Sequence, residues 1–286
     1  MVMIAMQLLS GYASAQPQGL YHDLGFDWVN RATRVGPRQI LVNVVDGIAY
    51  QGIWDNEKIE RSVGKFEPNA FHGMSQEWTM SSDGSPIQGS ATTRYCFPEQ
   101  AGDSEKRAVR SMILLTANRD FVEGETITVK PVTGGQPLAV LISDQAKSDL
   151  VQVPHQGWTP GSPDKHAMLG YWFGPGHAAD AWLSDKITFA VVDDASGKPV
   201  SGFDWSDGHR LIKVRDAQVV HAYQQAVNNW QTMHDVYEAR FPELTAPGKY
   251  RVVVKGIGAS YPFDIAPDVH YPLIRHVGRG FYLSPA

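Results

Sequence analysis

The chain has 286 residues, enough for about two domains of ordinary size. Hydrophobic residues make up 43% of it and charged residues only 19%, with 27 glycines and 18 prolines, which favours a turn-rich all-β protein. A net charge of −5 without any basic run excludes a nucleic-acid-binding footprint and argues against an anionic membrane surface. The single cysteine, Cys96, excludes a disulfide framework within the chain.

The N-terminal residues have the pattern of an export signal. Residues 1–9 are apolar, and small and polar residues follow up to Ala13-Ser14-Ala15. This predicts a signal-peptide-like segment over residues 1–15, with cleavage before Gln16, and therefore a secreted or periplasmic protein. The alternative interpretation is a disordered tail. No other stretch is apolar enough to span a membrane.

Residues 19–145 are predicted to form an accessory β-sandwich domain. Short runs rich in β-branched and aromatic residues alternate with the turn pairs Asp46-Gly47, Asp83-Gly84, Glu123-Gly124 and Gly134-Gly135. The predicted strands are Gln39–Val45, Gln76–Met80, Thr92–Phe97, Ser111–Thr116, Thr126–Pro131 and Leu138–Ile142.

The polar stretch Ser143–Ser148 is the predicted domain boundary, and the strand pattern resumes after it. The strands predicted there are Asp149–Val153, His166–Phe173, Lys186–Val192, Val236–Phe241, Tyr250–Lys255 and Tyr261–Ile265. Turns are predicted at 196–199 and 246–248. Strands at this spacing without regular helical crossovers indicate two tandem antiparallel β-sandwich domains.

One short inserted helix is predicted between the strands of the second half. Its apolar residues recur on one helical face, which favours packing of that face on a sheet. They are Val219, Val220, Tyr223, Ala226, Val227 and Trp230.

The stretch from Asp149 to Trp172 resembles the opening of the immunoglobulin-like module that precedes the catalytic domain in family-nine glycoside hydrolases. The matching elements are an apolar strand, a turn and a lysine before the next strand, here Gln156, Gly157, Trp158, Pro160 and Lys165. The Asn-Gln pair that is usual in the family is His155-Gln156 here.

A second block, 234–282, resembles the last strands of the same module and its lead into the catalytic domain. An Asp-Phe-Ser sequence usual in the family is Arg240-Phe241-Pro242 here. The recurring elements are Val236, Tyr237, Phe241, Pro247, Gly248, Lys249, Tyr250, Gly258, Ser260, Phe263, Ile265, Tyr271, Phe281 and Tyr282.

The resemblance covers about residues 149–286. It implies an immunoglobulin-like domain over 149–270 and, over 271–286, the lead into a catalytic α/α barrel whose first helix would begin where the sequence stops. It also implies that the parent protein hydrolyses β-1,4-glucan with inversion, using a carboxylate base and a carboxylic acid. The family's Asp-Ala-Gly-Asp motif does not occur here, so no catalytic residue is carried over.

The resemblance thus makes the chain the non-catalytic N-terminal region of a secreted cellulase-like hydrolase. Its expected partners are its own catalytic domain and, through that domain, β-glucan. The alternative is a free-standing carbohydrate-binding or adhesion protein of two β-sandwiches. It would bind sugars on exposed aromatic rings, for which Trp54 and Trp78 are the candidates.

Two sets of residues complete the predicted sites. Packing on the catalytic domain is assigned to Tyr271, Leu273, Ile274, Phe281 and Tyr282, which should form an apolar surface. The aspartates of Asp204–Gly208 have the oxygen density of a small calcium loop, but an ordinary solvated turn is the commoner use of such residues. No cofactor and no metal site are predicted.

Overall fold

The structure is a computed structural model of the chain, and it describes residues 31–50, 78–88, 91–98, 106–132, 137–154, 156–174, 177–216 and 234–283. Within these ranges, antiparallel strands predominate and the predicted all-β fold is confirmed. The signal-like segment, the helix predicted around residues 219–230, the Gly134-Gly135 turn and Trp54 lie outside the described residues.

The chain divides into two compact units. The first comprises the described parts of Met1–Ala32, Gln39–Arg119 and Thr126–Val140. The second comprises Leu141–Ala286 together with Thr33–Arg38 and Asp120–Glu125, two short segments from the first half of the sequence.

The first unit is built around two four-stranded sheets, ordered β1-β2-β6-β5 and β4-β3-β7-β8. Buried residues at its centre include Ile40, Ile113, Met80 and Ile127. The strands are β1 (Arg31–Arg34), β2 (Gln39–Tyr50), β3 (Trp78–Ser82), β4 (Ser85–Pro86), β5 (Ala91–Pro98), β6 (Lys106–Thr116), β7 (Thr126–Pro131) and β8 (Leu138–Leu141).

The dipeptide Asp46-Gly47, predicted to be a turn, instead lies inside β2. The pairing of β2 with β6 continues to Tyr50, and its register shifts between Val45 and Gly47, as at a β-bulge. A bulge absorbs one extra residue without ending the strand, so the turn prediction was wrong. The Asp83-Gly84 turn is confirmed, since both residues have positive φ and join the paired strands β3 and β4.

The second unit contains two larger sheets and a two-stranded ribbon. One sheet has the order β14-β15-β10-β9; the other has β13-β16-β17, with β18 also paired to β16; the ribbon is β11-β12. The strands are β9 (Val151–Gln152), β10 (His166–Leu169), β11 (Trp172–Gly174), β12 (His177–Ala178), β13 (Phe189–Asp193), β14 (Ile212–Arg215), β15 (Val236–Arg240), β16 (Gly248–Val254), β17 (Gly258–Ala259) and β18 (Phe263–Ile265).

Aromatic residues join the two larger sheets of the second unit. Phe241, which directly follows β15, stacks on Phe263 of β18 with ring centroids 5.4 Å apart, and both rings are buried. Valines of β13 and β16 are also fully buried. This inter-sheet core is what a sandwich requires.

The only helix longer than one turn within the described residues is α1 (Tyr271–Leu283), which begins shortly after β18. Two single-turn 3₁₀ helices lie at Ala179–Ala181 and Trp205–Asp207. The segment predicted as a lead into a further domain is therefore already helical.

Candidate docking surface

The turn that carries the family resemblance is held against β18. Gly157 has φ +74°, and its α-carbon lies so near β18 that a β-carbon there would sit 2.0 Å from the carbonyl oxygen of Asp264. Because of this approach, the Trp158 N–H donates to the Asp264 carbonyl at 3.0 Å, and the Ala266 N–H donates to the Trp158 carbonyl at 3.2 Å. Only glycine fits at position 157 without moving a backbone.

Trp158 is a core residue. Its ring meets Phe241 and Phe263 edge-on, with centroids 5.4 and 5.1 Å away, and 8% of its surface is exposed. Edge-to-face contacts of this kind add to the stabilisation from burial alone. The turn therefore connects the inter-sheet core to the backbone from which α1 continues.

Lys165, the last residue of the matching turn, is also buried. It is 1% exposed, and its ammonium donates to the carbonyls of Pro160 and Ser162. Burial lowers the pKa of Lys165, and the negative charge of Glu243 opposes that effect. The ammonium closes the 160–165 loop by binding two of its backbone carbonyls, and hydrogen bonds to a charged donor are among the stronger ones in proteins.

The segment predicted as a domain boundary belongs to the second unit. The Ser148 N–H donates to the Ala259 carbonyl at 2.8 Å, and the Ala259 N–H donates to the Ala146 carbonyl at 2.7 Å. The Asp144 carboxylate accepts from the guanidinium of Arg34 at 3.1 Å and from the Gly256 N–H at 2.9 Å. Arg34 thus ties one of the two early segments to the rest of the second unit.

A series of backbone hydrogen bonds links the Trp158 turn to the start of α1. After Ala266 binds Trp158, the Val269 N–H donates to the Ala266 carbonyl, the Tyr271 N–H to the Asp268 carbonyl and the Ile274 N–H to the His270 carbonyl. The chain therefore passes from the last strand into the helix through successive turns. Only a few residues of hydrogen-bonded backbone lie between Ala266, which is bonded to Trp158, and the first residue of α1.

The apolar residues predicted to pack on another domain lie on this helix, and those with described side chains are exposed. The exposed fractions are 62% for Tyr271, 46% for Leu273 and 65% for Ile274. Val277, which was not predicted, lies one turn after Leu273 and is 50% exposed. Phe281 and Tyr282 are in the helix, but their side chains are not among those described. We call the exposed row formed by Tyr271, Leu273, Ile274 and Val277 the apolar stripe.

The candidates for sugar binding include one tryptophan that the structure describes. Trp78 opens β3 and is 8% exposed in the core of the first unit, which leaves little of its ring for a sugar to cover. Trp54 lies outside the described residues.

The aspartates considered for calcium cap a short helix. Asp204 accepts a hydrogen bond from the Trp205 N–H, and Asp207 accepts one from the Asp204 N–H at 2.7 Å, forming a capping box on the 3₁₀ turn. Within the described residues there is no group of three His, Cys, Asp or Glu side chains that could hold a metal ion. The feature of the second unit that is suited to binding is therefore the apolar stripe of α1.

No protein-family model and no curated protein matches the chain. Among solved structures, it is similar to a metagenome-derived glycoside hydrolase family 9 endoglucanase at 26% identity and TM-score 0.34, over 46% of this chain and 20% of that chain. It is also similar to tandem Ig repeats of Dlar (9% identity, TM-score 0.19, 82% of this chain and 94% of that one). A third similarity is to the S-layer protein rSbsC(31-844) (9% identity, TM-score 0.23, 82% and 40%).

This chain spans about a fifth of the endoglucanase chain that it matches. No helix among the described residues combines the length and the apolar character needed to cross a membrane.

Proposed function

We propose that this chain is the non-catalytic N-terminal region of a secreted family-nine glycoside hydrolase. In this proposal, the second unit packs on the catalytic domain of the same polypeptide and stabilises it. That catalytic domain would hydrolyse β-1,4-glucan with inversion, and both catalytic carboxyl groups would belong to it.

The observation that carries the proposal is the exposed apolar stripe of α1. Each of its four side chains is about half to two thirds exposed, and burying a large aliphatic or aromatic side chain contributes about 1.5–3 kcal/mol. Covering the stripe would therefore stabilise a docked state by roughly 3–6 kcal/mol. Apolar side chains that lie exposed side by side, rather than singly, are a feature of surfaces that contact another protein domain.

The residues of the family resemblance support the same assignment. Gly157 and Trp158 lie in a turn that is joined by hydrogen bonds to the end of β18, and Lys165 closes the loop that follows this turn. The helix α1 begins shortly after β18. In physical terms, such a turn fixes the direction in which the chain leaves the last strand. The docking helix would then leave the sandwich at a defined place.

The first test is to sequence the gene beyond the codon for Ala286 and to assay the full product on soluble β-1,4-glucan. We expect the frame to continue into a helical domain with an early pair of aspartates and a late glutamate, and the product to hydrolyse the glucan with inversion. A stop codon after Ala286, or a product without glucan hydrolysis, would refute the proposal.

A second test addresses the packing itself. In the full product, Ile274→Gln should lower stability by about 1–2 kcal/mol, because a residue that is 65% exposed in this chain would be covered by the catalytic domain. Gln is a good helix former, so the helix itself is not weakened. The matched control is Ile212→Gln on β14, where the isoleucine is 47% exposed. We expect the first variant, and not the control, to shorten the half-life of glucanase activity on heating.

A further inference from the structure

We infer that residues 217–233, which join β14 to β15, pack their apolar side on the outer face of the sheet β14-β15-β10-β9. The inference concerns this chain alone, so it goes beyond the proposed function and does not depend on it. It assigns an exposed sheet face of the second unit to a segment of the same chain and not to a partner protein.

The outer face of this sheet carries two large apolar side chains in one row. Glu238 of β15 lies opposite Ile212 of β14 and opposite Met168 of β10. Residues directly opposite each other point to the same side of a sheet, so these three side chains share one face. On the other side, which is the core, Ala167 and Ala239 are fully buried. On the outer side, Ile212 is 47% and Met168 is 44% exposed.

The charged groups on this face are paired with one another. The Arg240 guanidinium donates to the Glu238 carboxylate at 2.6 Å, and Nε2 of His166 lies 3.9 Å from the same carboxylate. The Glu238 side chain is only 13% exposed. A charged cover would gain little here, because the carboxylate already has its counter-charge. Apolar and uncharged polar side chains are therefore the best match for this face.

Residues 217–233 have this composition. They contain no Asp, Glu, Lys or Arg, and their apolar residues recur on one side of the helix that the sequence predicts there. Glutamines such as Gln218 and Gln225 fall on the opposite side of that helix. The segment therefore offers an apolar side to the sheet and a polar, uncharged side to solvent.

The segment is attached at both ends beside this face. Arg215, the last residue of β14, is paired with Val236, the first residue of β15. Two paired antiparallel strands need only a short turn, so the long connection has no distant strand to reach. A helix from Val219 to Trp230 is about 17 Å long, and four strands are about 14 Å across, so such a helix can cross the sheet. The residues between Arg215 and Val219 span up to about 10 Å when extended, which lets the chain rise onto the face.

Attachment to the same sheet also favours this segment over a second copy of the chain. A segment on a short linker meets the face at an effective concentration on the order of 1 mM. A second copy has to bind at its own, much lower concentration. The face is therefore occupied from within the chain.

Oxidation of Met168 by hydrogen peroxide measures whether the face is covered. The peroxide transfers one oxygen to the thioether sulfur, giving the sulfoxide and water, and the rate depends on access to the sulfur. The test variant of the 286-residue chain is Tyr223→Gln with Trp230→Gln, which removes two large apolar groups and puts good helix formers in their place. The control is Gln218→Ala with Gln225→Ala, two positions with the same spacing on the opposite side of the helix. We expect peptide mass spectrometry to show oxidation of Met168 about five- to tenfold faster in the test variant and unchanged in the control.

A further variant acts from the sheet side. Ile212→Gln should also speed the oxidation of Met168, because it removes apolar contact from the same face. It leaves α1 unchanged, so it still serves as the control for Ile274→Gln when the half-life of glucanase activity is measured. The amide protection of Val252–Val254 of β16 should be equal in all of these chains, because the sandwich itself stays folded.

Equal oxidation rates of Met168 in the parent chain, the test variant and Ile212→Gln would refute the inference. Oxidation of Met168 that slows as the protein concentration rises, and that the test variant does not change, would assign the face to a second copy and would also refute it. Neither result bears on the proposed function, since the measurement involves neither α1 nor glucanase activity.

Discussion

Replacement of Gly157 by alanine tests the link between the matching turn and the strand before α1. The left-handed backbone at φ +74° costs a non-glycine residue about 1 kcal/mol. The new β-carbon would also lie 2.0 Å from the Asp264 carbonyl oxygen, so the turn and β18 must move apart. That movement breaks the two hydrogen bonds of Trp158 with Asp264 and Ala266, at about 1 kcal/mol each. Looser packing of the Trp158 ring adds about 1–2 kcal/mol, for a total of about 4–5 kcal/mol.

The matched control is Gly202→Ala in the same unit. Gly202 has φ +83°, but no atom lies within 4 Å of the position that an added β-carbon would take, so the variant carries only the backbone cost of about 1 kcal/mol. The loss of chain entropy in the unfolded state is the same for both substitutions and cancels in their difference. At about 2–4 °C per kcal/mol, Gly157→Ala should lower the melting temperature of the second unit by about 8–20 °C and the control by about 2–4 °C. Calorimetry of the 286-residue chain would resolve this, and equal losses in the two variants would refute the close approach of the turn to β18.

Three further predictions concern buried polar groups of the second unit. Lys165→Met should destabilise the unit by about 2–3 kcal/mol in urea unfolding, since two carbonyls lose their charged donor; an unchanged midpoint would contradict this. Asp144→Ala should lower the stability by about 2–4 kcal/mol, because Arg34, with a side chain only 7% exposed, loses its ion-pair partner. Asp144→Asn should lower it less, because the amide keeps an oxygen that accepts hydrogen bonds. Burial, and secondarily the negative charge of Asp193, raise the pKa of Tyr250 in the folded state. The stability that is linked to this shift is fully present below the unfolded pKa of about 10, and it is lost as pH rises toward the folded pKa. Tyr250→Phe should therefore lose less stability than the parent chain between about pH 9 and 11, and parallel pH profiles would show that the phenol is not responsible.

Much of the fold follows from local sequence, because strands and tight turns are set by neighbouring residues. The Asp83-Gly84 hairpin and the turn at Gly197, both with positive φ, are at their predicted places. The predicted strand His166–Phe173 is instead two strands, β10 and β11, which pair in different sheets. Strand β14 was missed although Ile212–Arg215 alternates apolar and charged residues, because a run of four residues is a weak strand signal.

The two early segments of the second unit could not be predicted, because their partners are distant in sequence. Arg34 contacts Asp144, and the indole of Trp182 donates to the Val35 carbonyl at 2.7 Å. The sequence does not distinguish a buried arginine such as Arg34 from the exposed arginines that are the rule in proteins. Only the tertiary structure shows which carboxylate it meets.

The docking surface was predicted in part. The apolar residues Tyr271, Leu273 and Ile274 were predicted to pack on another domain, but no helix was predicted over Tyr271–Leu283. Pro272 and the glycines at 278 and 280 are typical of turns. For this reason the helical spacing of the apolar residues in this segment did not lead to a helix prediction. Once the backbone is known, the spacing of Leu273, Val277 and Phe281 makes one row of the helix visible.

These same residues lead to a last prediction, which is that α1 opens readily in the 286-residue chain when nothing covers it. A 13-residue helix is marginal by itself in water, and each glycine in it costs about 1 kcal/mol relative to alanine. Every described side chain of α1 is exposed, so packing does not make up for this cost. In amide hydrogen exchange, α1 should therefore exchange almost as fast as an unstructured peptide, while Val252–Val254 of β16, which are fully buried, should be strongly protected. Gly278→Ala combined with Gly280→Ala should raise the protection of α1 by up to about thirtyfold, which corresponds to about 2 kcal/mol. Protection of the parent helix equal to that of β16 would contradict this reasoning, because the stripe would then already be covered and α1 would have no need of a partner domain.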